Sequence, residues 1–127
     1  MATHEERARS IYGLLVLTAW ADGLIHPNEI LVEHAILDEL PELKALEEKH
    51  VIARDAKTTL DARGLDAAVA QMAAPLTERE DQELAFGCCV RILEADGIIA
   101  PEEFRVMRIL RRLWAFTQDD VNRLISR

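Results

Sequence analysis

The chain is poor in the features that mark several protein classes. It has two cysteines, Cys88 and Cys89, and they are adjacent. Neighbouring cysteines supply no disulfide framework, and their apolar surroundings suit buried thiols in a reducing compartment. Long apolar runs are missing as well. The densest, Ile11 to Ala21, falls short of the roughly 20 residues a membrane helix needs. It also lies too far into the chain to read as a signal peptide. The expected location is therefore cytoplasmic. Sustained alternation and β-branched runs are scarce, which argues against a sheet. No glycine-rich phosphate loop and no nucleophile–base pairing stands out, so an enzyme is not expected. Linkers and low-complexity segments are absent too.

Charge of one sign is scarce in an uneven way. The 127 residues carry 15 lysines and arginines against 23 acids, a net charge of −8. Residues 104–127 hold six arginines and two acids, a balance of +4, which leaves −12 on residues 1–103. A surface that is mostly acidic repels polyanions, so nucleic-acid binding is not expected.

What is present is helical signal. Thr3 with Glu6 forms a capping box that opens a first helix. Its apolar residues (Ala8, Ile11, Leu14, Leu15 and Thr18 on one face, with Tyr12, Val16, Leu17 and Trp20 on others) go most of the way round, as in a central helix. Asp22-Gly23 ends it. Pro27 opens a second helix to about Leu40, expected to turn Ile30, Leu31, Ala35 and Ile36 inward. Pro41 restarts a polar amphipathic segment to about Asp61, and Gly64 breaks it. Asp66 is expected to cap a short helix through Met72, and Thr77 with Glu80 to box a helix to about Ala95. Pro101 opens a helix to Trp114, and Thr117 with Asp120 caps a last short one. The expectation is a single all-α domain over residues 1–127 with about seven helices.

Two stretches match at an offset of 74 residues: Ala-Asp-Gly-Leu-Ile-His-Pro-Asn-Glu at 21–29 and Ala-Asp-Gly-Ile-Ile-Ala-Pro-Glu-Glu at 95–103. The match extends to Tyr12 with Phe86, Gly13 with Gly87, Val16 with Val90 and Val32 with Val106. An internal repeat of 11–36 and 85–110 follows, read as two helix–Ala-Asp-Gly turn–helix hairpins about a pseudo-twofold axis, with the middle helices on one side.

The doubled Ala-Asp-Gly-x-Ile-x-Pro-x-Glu turn resembles the tellurite-resistance TerB family, as does the ending Leu110-Arg-Arg-Leu-Trp-Ala-Phe-Thr-Gln-Asp-Asp. That family includes the TerB-like segment ahead of J-domains in some bacterial co-chaperones. The resemblance covers nearly the whole chain. It implies a bacterial all-helical domain connected with stress response and with metal or partner binding.

Each turn also resembles the second half of an EF-hand loop, where an Asp, a Gly turn and a final Glu hold calcium. The two earlier ligand positions would fall on Thr18 and Trp20, and on Ile92 and Glu94. Trp and Ile cannot ligate, so a single turn is not an EF-hand. A composite divalent-cation site would need Asp22, Glu29, Asp96 and Glu103 to converge, with His26 able to join them. A hydrolase using the same carboxylates would need a concave pocket around them. Local capping accounts for each residue without a partner and is the preferred reading. With Pro27 and Pro101 at the first helical position, Glu29 and Glu103 reach back to backbone N–H groups, and Asp22 and Asp96 bond their own turns.

The remaining candidates are Cys88-Cys89, read as core thiols; His4, His34 and His50, which have no ligand spacing; and four arginines. Arg105, Arg108 and Arg112 follow i, i+3, i+7 spacing, with Arg111 beside them. Their plain role is a solvated face or ion pairs with the chain's own acids. The sharper role is a docking stripe for an acidic protein partner, with anionic lipid headgroups as the lesser candidate.

Overall fold

The computed structural model describes residues 3–21, 27–94 and 101–125, with backbone alone at 27–29 and 101–103. These residues form eight helices: α1 His4–Trp20, α2 Pro27–Glu39, α3 Pro41–Lys44, α4 Lys49–Arg63, α5 Leu65–Ala73, α6 Arg79–Leu93, α7 Pro101–Leu113 and α8 Gln118–Ile125. No strand occurs among the described residues.

α1 is the centre. Ser10 to Ala19 are buried without a break, and the helix touches α3, α4, α5, α6 and α7. A helix apolar on every side can be surrounded at no polar cost. Its fully buried hydroxyl, Thr18, donates to the Leu14 carbonyl at 2.8 Å, while Ser10 and Tyr12 are buried less deeply. Thr3 opens the helix as expected, its Oγ1 accepting from the Glu6 amide at 3.1 Å.

The repeat is visible in the burial of equivalent positions. Tyr12 and Phe86, Val16 and Val90, and Ile36 and Leu110 are all buried. Ile30 and Phe104, also equivalent, are exposed. Packing follows the same relation: α2 lies on α6, and its counterpart α7 lies on α1. The relation is not fully symmetric, since α7 also packs on α6 and α5. α3, α4 and α5 contact α1, and α8 contacts α6. The second repeat ends in an aromatic cluster. Phe86 and Phe116 meet edge-on at 5.1 Å, and Trp114 stands 5.9 Å from Phe116. Complete burial of a side chain as large as Phe86 or Leu14 stabilises by about 1.5–3 kcal/mol.

Four local expectations are corrected. The segment after Pro41 is two helices, because Glu48 takes a left-handed conformation (φ 55°) between α3 and α4. The Lys49 ammonium then caps α3, donating to the Lys44 and Leu46 carbonyls at 2.9 Å. Asp66 does not cap α5, which starts at Leu65 directly after Gly64, at φ 87°. Thr77 and Glu80 form no capping box, since α6 begins one residue later, after Glu78. Finally, α2 turns Ile36 inward, while Leu31, 68% exposed, and Ala35 face out and Ile30 is 43% exposed. Contact with α6 and α3 selects Val32, Ile36, Leu37 and Leu40 as the inner stripe instead.

Candidate docking face and acidic turns

Asp22, His26 and Asp96 lie outside the described residues, as do the side chains of Glu29 and Glu103. Their approaches are described. Thr18 and Ile92, which stand where an EF-hand would place early ligands, are fully buried inside α1 and α6. Neither can face a cation. Among the described residues, no three His, Cys, Asp or Glu side chains come together to hold a metal ion.

The arginines of α7 divide into two kinds. Val106, Met107, Leu110 and Trp114 fix the inner face of this segment. At 100° per residue, positions 105, 108 and 112 then fall within about 60° of one another on the outer face. Arg105 reaches α5 and pairs with Asp66 at 2.8 Å, a solvated contact. Arg111 turns the other way. It is partly buried, and its Nε donates to the Phe116 carbonyl at 3.3 Å and a terminal nitrogen to Gln118 Oε1 at 3.1 Å. It closes the α7–α8 corner, where Ala115 adopts φ 54°. Arg108 and Arg112 are exposed and form no ion pair among the described residues. Phe104, 50% exposed, flanks them one turn earlier.

An ionic network that the sequence did not signal joins α6 to α8. Arg79 contacts Glu83 and Asp120, Arg123 grips both Glu83 oxygens at 3.0 and 3.1 Å, and the Arg79 guanidinium lies 4.3 Å over the Phe116 ring. Arg79 and Glu83 are an i,i+4 pair within α6, but the links that cross to α8, Arg79–Asp120 and Arg123–Glu83, are 41 and 40 positions apart, too far for helical spacing to reveal. The Arg123 hydrogen bond holds Glu83 below the ordinary carboxylate range. Bonds from the Thr117 backbone and hydroxyl do the same for Asp120, with help from Arg79 and Arg123.

The cysteines are core residues. Burial pushes Cys88 up to about 11 and Cys89 up to about 12, so both remain protonated and unreactive at neutral pH. His34 and His50 are exposed, and His4 sits against Arg7 at 2.6 Å. No helix among the described residues is long and apolar enough to cross a membrane.

No curated protein and no solved structure matches the chain. The family described as Tellurite resistance protein TerB matches residues 8–126. That span takes in both repeats, the central helix and the closing α8. The chain belongs to the TerB family.

Proposed function

We propose that this chain is a non-enzymatic interaction module that docks an acidic protein partner on the outer face of α7, as part of a bacterial stress response. The observation that carries the reading is the pair Arg108 and Arg112, exposed beside Phe104 on a chain of net charge −8. Arginines and an aromatic ring are the residue types that anchor interfaces. A basic face on an acidic body orients an approaching acidic partner and repels it elsewhere. Arg105 and Arg111 are engaged by the fold itself, so Arg108 and Arg112 are the residues to test. Affinity capture from the native cell compares wild type, Arg108→Glu with Arg112→Glu, and the remote Arg54→Glu. A partner held by wild type and Arg54→Glu but lost by the double variant supports the reading. The same proteins held by all three remove α7 as the docking face.

A second reading, a divalent-cation sensor, is favoured by one observation: Asp22 and Glu29 recur as Asp96 and Glu103 at the same offset. Four crowded carboxylates repel one another, and a divalent cation relieves that. Calorimetry with calcium, magnesium, manganese and zinc tests it on wild type and on Asp22→Asn with Asp96→Asn. Heat that disappears in the double variant supports the sensor. No heat, or equal heat in both proteins, removes it.

A further inference from the structure

Between α1, α2 and α4 lies a cleft of about 200 Å³. α1 supplies Tyr12, Val16 and Trp20, α2 supplies Ile30 and Glu33, and α4 supplies Ala53. The walls are apolar and aromatic except for one carboxylate and one phenol. Glu33 is partly buried, and no lysine or arginine pairs with it among the described residues. Burial raises its carboxyl above the ordinary range, partly offset by Tyr12 and His34. Burial also pushes the Tyr12 hydroxyl up to about 12, with the Glu33 charge adding to the effect. The Lys57 ammonium lies 4.5 Å from the centre of the Trp20 ring.

These features select a ligand by elimination. A partly buried carboxylate that no lysine or arginine pairs with is costly, and Tyr12 and His34 offset only part of that cost, so a cation entering the cleft recovers the rest. An anion would be repelled. A bare metal ion wants several oxygens, and the cleft offers one carboxylate. The apolar walls want a body of carbon, and an ammonium head gains from Trp20 and Tyr12 as well as from Glu33. At about 30 Å³ per water-sized unit the volume suits roughly seven non-hydrogen atoms, below the size of most drug sites. The larger hollow bordered by His4, Glu5, Glu42 and Glu47 offers no such pairing, since those side chains are all exposed.

We propose that the α1–α2–α4 cleft binds a small organic ammonium ion, with its cationic head on Glu33 and its short alkyl or aryl body against Val16, Ile30 and the Trp20 ring. The proposal is independent of the α7 docking face.

The test is an NMR titration of the intact chain with n-pentylammonium chloride, with 1-pentanol as the uncharged control. Saturable shifts should centre on the Trp20 indole, Tyr12, Val16 and Ala53. The alcohol should bind on the order of tenfold more weakly, a gap of about 1.4 kcal/mol. Glu33→Gln should bring ammonium and alcohol to equal affinity. Lys57→Gln should tighten the ammonium severalfold by freeing the ring and removing a like charge. Ala53→Leu, which fills the cleft from a helix that tolerates leucine, should abolish both ligands. This variant keeps the test decisive should Glu33→Gln not fold. Absence of saturable shifts, equal binding of alcohol and ammonium to wild type, or unchanged binding in Ala53→Leu would each overturn the proposal.

Discussion

Arg111 and Arg112 are neighbours with opposite duties. Arg111 holds the Phe116 carbonyl and Gln118 across a tight corner, whereas Arg112 is exposed. Arg111→Ala should destabilise by about 1 kcal/mol, the usual net value of a hydrogen bond, at a partly buried side chain. Arg112→Ala should stay within about 0.5 kcal/mol of wild type. Urea unfolding of the two variants checks this, and equal losses would contradict the corner-closing role. In the sequence Arg105, Arg108 and Arg112 read as one stripe with Arg111 beside them, because i, i+3, i+7 spacing identifies a face and not what the face meets. Arg111 is separated from the others by the path of the chain after Trp114, which is a tertiary fact. Caps were legible where both partners are local. Thr117 is the clear example: its amide donates to Asp120 Oδ2 at 2.9 Å while its Oγ1 accepts from the Asp120 amide at 3.1 Å. Thr77 and Glu80 have the same pattern, but Glu78 is the residue before the helix.

At the scale of the element, the repeat poses a controlled comparison in Gly13 and Gly87. Both sit inside helices, where alanine is favoured over glycine by about 0.5–1 kcal/mol. A Cβ at Gly87 meets nothing within 4 Å, so Gly87→Ala should realise that gain. A Cβ at Gly13 would stand 2.5 Å from Met72 Sδ. That flexible side chain must move, so Gly13→Ala should gain less than Gly87→Ala. Thermal unfolding of both variants decides it.

The attachment of α8 carries its own pH dependence. Glu83 and Asp120 have folded-state values below their ordinary 4.5 and 3.8. Groups depressed by folding stabilise at pH above their unfolded values and lose that contribution as pH falls through the folded ones. Acid should therefore loosen α8 from α6, and hydrogen exchange across Gln118–Ile125 should rise as pH falls below the ordinary carboxylate range, before the α1 amides follow. Simultaneous exposure of α1 and α8 would contradict this order. α1 was readable as a central helix because it is apolar all round. α2 misled for a similar reason. Ile30, Leu31, Val32, Ala35, Ile36 and Leu37 encircle it, so periodicity offered several inner faces, and contact with α6 and α3 chose among them.

For the whole molecule, the internal repeat was the most legible feature, because the 74-residue offset appears in residue identities and several equivalent positions are alike in burial. The chemistry was less legible. The acids that sequence singles out read first as local caps and only second as metal ligands, while nothing in the sequence distinguishes Glu33, an acid among apolar residues on α2, because its surroundings come from α1 and α4. The proposed docking rests on the charge split: a basic face on α7 against an acidic remainder. The measurement that tests it most directly is the Kd of the captured partner for wild type and for Arg108→Glu with Arg112→Glu, taken across about 0.05–0.2 M salt, where screening lengths shorten through the reach of surface charges. Docking on α7 predicts that wild-type affinity falls as salt rises, and that charge reversal costs on the order of tenfold or more at the low-salt end. Equal affinities for the two proteins at every salt concentration would contradict it.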